Sequence, residues 1–227
     1  MSLDTPPVET CQRCLKAAEL CVCAPIEPIA NRIFVLMLQH PQEQDRDLGT
    51  ARLAFLHFKN AAFKVGLSWP NLSKALGRPV ADPKRWGVLY LGPAVLPPDA
   101  LGRDIVVLDR KGALDPAQDK ALDELDGVVL LDGTWSQAKA LWWRNGWLLK
   151  LRRIVLNPKA PSRYGKLRKE PRRESVSTLE ATAILMSRLE ARPDLQTRMV
   201  ACFDALLQRY RDSRKTLPIA PRSDRRK

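Results

Sequence analysis

The sequence predicts an α/β domain: a mainly parallel sheet flanked by helices, with a small cysteine-rich segment in front of it. Three observations carry this. Short apolar runs lack the in–out alternation of a half-exposed strand, as expected of strands covered on both faces. Helix-like stretches separate them, the βαβ rhythm of a parallel sheet. Four of the five cysteines crowd into thirteen residues near the N-terminus. At 227 residues and 45% hydrophobic, the chain has the material for one large domain, and its six Trp need burial or partners, which excludes disorder for most of it. No apolar stretch approaches the ~20 residues that span a bilayer, so no membrane association is expected.

The first element is Cys11-x2-Cys14-x6-Cys21-x-Cys23. The preceding MSLDTPPVET is polar and offers no apolar core of a secretory signal, so a reducing, cytoplasmic compartment is expected and disulfides are not. Four thiolates at these spacings suit a tetrahedral structural Zn2+, the alternative being an unligated cluster. The intervening LKAAEL has the length of one helical turn. Strands are predicted at Ile33–Leu38, Gly87–Leu91, Asp104–Leu108, Gly127–Leu131 and Arg153–Leu156. Helices are predicted near Thr50–Lys59, Pro116–Glu124, Ser136–Arg144, Thr178–Glu190 and Leu195–Arg211, with Cys202 an ordinary buried thiol on the last. The expected organisation is a zinc-binding four-cysteine segment over 1–28, the α/β domain over 29–211, which the family resemblance set out below makes the catalytic domain, and a flexible basic tail over 212–227.

The formal net charge of +13 is concentrated. Arg144–Arg173 carries 11 Lys/Arg against Glu170 alone, and Arg209–Lys227 carries 8 against Asp212 and Asp224; the rest of the chain is slightly acidic. The tail is a solubilising terminus or a polyanion-binding arm. The internal segment interleaves its bases with Pro158, Pro161, Tyr164, Gly165 and Pro171, the make-up of a loop that offers guanidinium groups to phosphates.

Ligands of open α/β sheets bind beyond the carboxyl ends of the strands. There the chain places Gln39-His40-Pro41-Gln42-Glu43, then Gly92-Pro93, then Asp132-Gly133-Thr134-Trp135-Ser136-Gln137. None is a G-x-G-x-x-G fingerprint or a P-loop. With only His40 and His57 and no G-x-S-x-G elbow, a Ser-His-Asp hydrolase is unsupported. Asp132 caps the following helix or faces a ligand, and Ser177 with Glu180 forms a capping box, which is compatible with a ligand role.

LLDGTWSQA (Leu130–Ala138) resembles the signature of the DTW-domain family. In order along the chain, so do the cysteine quartet, Leu38-Gln39-His40-Pro41-x-Glu43, Thr50, Tyr90-Leu91-Gly92-Pro93, and Arg163-Tyr164-x3-Arg168-x8-Ser177-Thr178-Leu179-Glu180-Ala181. Gly49 departs from the family's usual Asn. The resemblance implies a SPOUT-like sheet with a C-terminal trefoil knot, an exception to the rule against threading. It implies transfer of the 3-amino-3-carboxypropyl group of S-adenosylmethionine to N3 of a tRNA uridine, with release of methylthioadenosine. Asp132 is the implied general base or substrate-orienting group. The implied cofactor-site residues are Leu38, His40, Glu43, Thr50, Leu91, Gly92, Pro93, Gly133, Thr134, Trp135, Gln137, Ser177, Thr178 and Glu180. Arg163, Tyr164, Lys166, Arg168, Arg172 and Arg173 are expected on tRNA, with Tyr164 stacking on a base. The competing expectations are a SPOUT-type RNA methyltransferase and a non-catalytic zinc-bearing RNA-binding protein. No residue pattern identifies an oligomer interface.

Overall fold

The computed structural model describes residues 9–44, 46–89, 100, 102–109, 112–165, 167 and 176–216. Six strands form one sheet: β1 (Phe34–Gln39), β2 (Ala61–Val65), β3 (Trp86–Leu89), β4 (Ile105–Leu108), β5 (Gly127–Asp132) and β6 (Arg152–Leu156), in the order β2-β1-β5-β3-β6-β4. All neighbours are parallel except β4, which runs antiparallel to β6 at the edge. The five predicted strands are present with described ends shifted by at most one residue; Tyr90 and Leu91 of the predicted Gly87–Leu91 lie outside the described residues. β2 (AAFKV) was not predicted. It is an edge strand, half-buried over its first four residues, exposed at Val65 and carrying Lys64, and so lacks the apolar run that marked the others. The expected helix over Thr50–Lys59 is correspondingly short, α1 (Ala51–Phe55), leaving room for β2.

The remaining helices are α2 (Leu72–Leu76), α3 (Gln118–Asp123), α4 (Trp135–Arg144), α5 (Thr178–Leu189) and α6 (Pro193–Thr216). α2 is capped by the Asn71 side chain and stopped by Gly77 in the left-handed region at φ +79°, a conformation that favours glycine. The tail expected to begin at 212 is instead helical to Thr216. The last turns of α6 are supported there by Asp212, which accepts from Gln208 and Lys215. The cysteine segment is not a separate body either: Cys14, Leu20, Val22, Cys23 and Ile26 share one core with Leu195, Met199 and Phe203 of α6.

The pleat sorts the sheet into two packed faces. Val35 and Met37 of β1, with Val128 and Leu130 of β5, pack on the side of α1, α5 and α6. Leu36, Leu38, Val129 and Leu131 pack on the other side against α2 and α4. All eight are at most 7% exposed. The same alternation sends Gln39 and Asp132, the final residues of β1 and β5, toward α5. Those two residues are paired in register across the strands. From β1 the chain steps outward to β2, then crosses to β3 on the far side, and β5 is inserted between them. The carboxyl ends of β1 and β5 therefore lie where the strand order reverses, the place such sheets offer to ligands.

Candidate functional site

Asp132 is 6% exposed, and each of its carboxylate oxygens already has a donor. The Thr178 hydroxyl donates to Oδ1 at 2.6 Å, and the Gln39 side-chain amide donates to Oδ2 at 2.8 Å. The His40 backbone N–H donates to the Asp132 carbonyl at 2.9 Å. Three elements, β1, β5 and the first turn of α5, thus converge on one carboxylate. A carboxylate offers about four acceptor positions, so two remain for a ligand proton. Gln39 was not among the expected site residues. Its signal was a polar side chain ending an otherwise apolar strand.

Directly after Asp132 the chain turns into α4. Thr134, not Asp132, is the cap: its hydroxyl accepts from Gln137 N–H at 3.4 Å, while Gln137 Oε1 accepts from Thr134 N–H at 2.6 Å. Gly133 makes this turn fit, because a Cβ there would lie 2.8 Å from Gln137 Cβ. Gln137 is therefore a capping residue, and its amide nitrogen reaches Gln42 at 3.4 Å. Trp135 is half-buried beside it. Ser177 and Glu180 form the expected capping box at the head of α5.

Several expected ligand residues have their polar atoms committed inside the protein. Glu180 Oε2 accepts from Ser177 N–H and from the Ser162 hydroxyl, both at 2.8 Å, and Oε1 accepts from Arg163 N–H at 2.9 Å. It is a clamp between α5 and the basic loop rather than a cofactor ligand. Leu38 is fully buried in the α2/α4 core, so its side chain reaches no cofactor. Thr50 is buried and accepts from Leu179 N–H at 3.3 Å, pinning α1 to α5. Glu43, 3% exposed, faces Arg46 at 3.9 Å. His40 is half-exposed at the end of β1, and its Nδ1 accepts from Gln42 N–H at 3.3 Å.

The largest correction concerns Tyr164. It is 2% exposed, its ring stands edge-on to Phe203 at 4.9 Å, and its hydroxyl donates to the Leu48 carbonyl at 2.7 Å. A ring enclosed in this way cannot stack on a base; flanking bases and prolines made a core anchor resemble a surface aromatic. Arg163 beside it is half-exposed and paired with Asp204 at 3.1 Å. Leu91, Gly92 and Pro93, and Lys166, Arg168, Arg172 and Arg173, lie outside the described residues.

The cysteine quartet closes on itself. Cys11, Cys14, Cys21 and Cys23 bring all four sulfurs within 4.8 Å of one another, a set that can hold a metal ion. The turn between the pairs is the short 3-10 helix Ala18–Leu20. Backbone N–H groups of Cys14 and Arg13 pull the Cys11 thiol down to about 6, the ionised form a metal needs. Burial pushes Cys14 and Cys23 the other way. Cys202 is half-buried on α6, its thiol pushed up to about 11, mainly by burial. Lys16, between the cysteine pairs, is buried and donates to the carbonyls of Arg46 at 3.3 Å and Asp47 at 2.7 Å. It ties the cysteine segment to the loop that carries Leu48 and Thr50, a link the sequence did not announce.

A separate cleft of about 760 Å3 opens between β4, α3, α5, α6 and the 158–163 loop. Its apolar floor includes Ile105, Leu122 and Ile184. Its cations Arg103 and Arg188 share Asp119, and Lys159 pairs with Asp104. Neither Asp132, Gln39 nor Thr178 lines it, so size alone does not make it the reaction site.

Comparison with known proteins gives a consistent result. Residues 8–211 match the family model described as the DTW domain. The chain is similar to tRNA-uridine aminocarboxypropyltransferase 2 of Drosophila melanogaster, 31% identical over 201 residues, covering 84% of this chain and 70% of that protein. It is likewise similar to the proteins of the same name from Macaca fascicularis, 26% identical over 205 residues, and Mus musculus, 26% over 200 residues. In both of these comparisons the match spans 86% of this chain but 61% of the relative. No solved structure matches the chain.

Proposed function

The chain belongs to the DTW-domain family, and from that premise we propose that it is a cytoplasmic tRNA-uridine aminocarboxypropyltransferase. It uses S-adenosylmethionine as co-substrate and holds zinc in its cysteine quartet. The observation that carries the proposal is the buried Asp132 carboxylate at the end of β5, oriented by Gln39 at the end of the adjacent parallel strand β1 and by Thr178 at the head of α5.

S-adenosylmethionine supplies a carbon made electrophilic by the adjacent sulfonium. In the transfer, the uracil N3 forms a bond to that carbon as the carbon–sulfur bond breaks, and the bonding pair stays on sulfur in methylthioadenosine. N3 carries a proton that must leave. Asp132, with two acceptor positions uncommitted and its orientation fixed from both sides, takes it. The same negative charge, in a site screened from water, favours a cationic partner. The positive dipole ends of α4 and α5, at their first turns, favour an anionic carboxypropyl end. Which of the three sulfonium carbons reacts is decided by placement, for which the strand ends and the two capped helices provide a rigid frame.

The zinc proposal rests on distance and chemistry. A Zn–S bond of about 2.3 Å sets tetrahedral sulfurs about 3.8 Å apart. The Cys11–Cys23, Cys14–Cys21 and Cys21–Cys23 sulfurs are 3.6, 3.7 and 3.6 Å apart. Four thiolates fill the coordination shell, so the ion is structural, and unbridged thiols suit a reducing compartment. SPOUT-like threading belongs to the same proposal; the insertion of β5 and β6 between earlier strands is consistent with it.

The deciding experiment incubates the protein with tRNA and S-adenosylmethionine and analyses both products. A tRNA nucleoside heavier by an aminocarboxypropyl group, with methylthioadenosine, is expected. Adenosylhomocysteine with a methylated nucleoside would overturn the proposal, as would unmodified tRNA.

A further inference from the structure

Three described cations of β6 and the loop after it are neutralised. Arg152 pairs with Glu124 at 2.8 Å, Lys159 with Asp104 at 3.0 Å and Arg163 with Asp204 at 3.1 Å. The cations of α4 and its exit are not. Among the described residues, Lys139, Arg144 and Lys150 have no carboxylate within 4.0 Å, and the sequence contains no Asp or Glu from Gly133 to Lys169.

On that uncompensated surface stands Trp143, 74% exposed. Ser136, Lys139 and Trp143 fall on one face of α4 by their i, i+3, i+7 spacing, and all three are exposed, whereas Ala138 and Leu141 face the core. Beside this end of α4 lies the loop after β2. The Ser68 hydroxyl donates to the Arg144 carbonyl at 3.1 Å, and the Asn145 amide donates to the Leu67 carbonyl at 3.0 Å. Leu67 is 37% exposed. An exposed indole costs solvation unless something covers it, and the charge around it selects a polyanion.

We propose that the exposed face of α4 is an RNA platform, on which an unpaired base of the tRNA stacks against Trp143 while Lys139 and Arg144 hold the flanking phosphates. α4 begins three residues after Asp132, and Trp143 lies about 12 Å along its axis. The indole thus stands on the α2/α4 side of the sheet, opposite the α5 side that Asp132 faces, so the base it meets belongs to a part of the tRNA away from the reacting uridine. Stacking on an aromatic face is tolerant of base identity, so this surface contributes affinity and register rather than sequence choice. The assignment rests on the tRNA reading above and moves the nucleic-acid contact from Tyr164 to Trp143.

The test compares wild type, Trp143→Ala, Trp143→Phe and Lys139→Gln, with unfractionated tRNA as the probe in filter binding. Trp143 is exposed, so the variants keep the wild-type melting temperature. Trp143→Ala is expected to weaken tRNA binding about 5- to 150-fold, with Trp143→Phe recovering most of it. Lys139→Gln is expected to lower the slope of log affinity against log salt by about one. S-adenosylmethionine affinity should stay unchanged. Unaltered tRNA affinity in Trp143→Ala overturns the platform. So does unaltered affinity with a dimer-to-monomer shift in light scattering, which would make the face a self-association surface. A wild-type protein that binds tRNA through Trp143 but transfers nothing would defeat the transferase reading and leave the platform standing.

Discussion

Replacing Tyr164 with Phe separates a core anchor from an RNA contact. The substitution removes one oxygen and keeps the ring, so packing on Phe203 persists. What is lost is the 2.7 Å bond donated to the Leu48 carbonyl. A buried acceptor left without its donor costs about 1–3 kcal/mol. Leu48 is only half-buried, and water partly replaces the lost donor, which places the effect near about 1–2 kcal/mol. For a domain of this size each kcal/mol moves the melting temperature by about 2–4 °C, so a drop of about 2–8 °C is expected. The loop from Arg46 to Thr50 also loses one of its ties, since Lys16 and Thr50 hold its ends while Tyr164 holds its middle. Thermal denaturation by circular dichroism measures the first effect, and filter binding measures tRNA affinity, which should not move. A melting temperature unchanged within about 1 °C would refute the reasoning, because a hydroxyl that faces solvent leaves no buried acceptor behind when it is removed.

Asp132→Asn preserves size and lets Gln39 turn its amide to keep a bond, but removes the base; turnover is expected to fall about 10²–10⁴-fold at unchanged tRNA affinity, and near-wild-type turnover would remove Asp132 from its role. Chelation is expected to release one equivalent of zinc per chain and lower the melting temperature, since the quartet shares its core with α6; a protein that melts identically with and without metal would contradict a structural ion. His57 is 3% exposed, with its Nδ1–H donating to the Leu53 carbonyl at 2.9 Å, and burial holds its pKa below the usual 6.5. The folded state keeps His57 neutral while the unfolded chain takes up a proton. The stability it contributes is therefore present above about pH 6.5 and lost as pH falls toward its folded pKa, by at most about 1.4 kcal/mol per pH unit. Urea midpoints across that window should fall with acidity, and His57→Gln should flatten the slope; an equally steep variant would assign the effect elsewhere.

The apolar runs of β1, β3, β4, β5 and β6 were legible because strands buried on both faces must be apolar throughout. The cysteine spacing was legible because four ligands of one ion need two close pairs joined by a short turn. The DGTW segment and the Ser177–Glu180 box were legible because caps and strand-end turns are local and have fixed residue requirements. β2 was hidden because an edge strand has no such requirement, and the extra turns of α6 because charged residues at a helix end look the same helical or frayed.

The sequence by itself determined five of the six strands, the four thiols and the position of Asp132 at a strand end, since each shows in a residue pattern a few positions long; the strand order, which pairs β1 with β5 far along the chain, does not. Only the tertiary structure decided which polar side chains remain open to a ligand. Glu180, Thr50 and Tyr164 carry chemistry suited to binding, yet their partners Ser162, Leu179 and Leu48 come from elsewhere in the fold. Trp143, by contrast, read as one more Trp awaiting burial, and the fold leaves it outside. A side chain's type fixes what it can bond, but burial and distant partners fix what is left for a substrate.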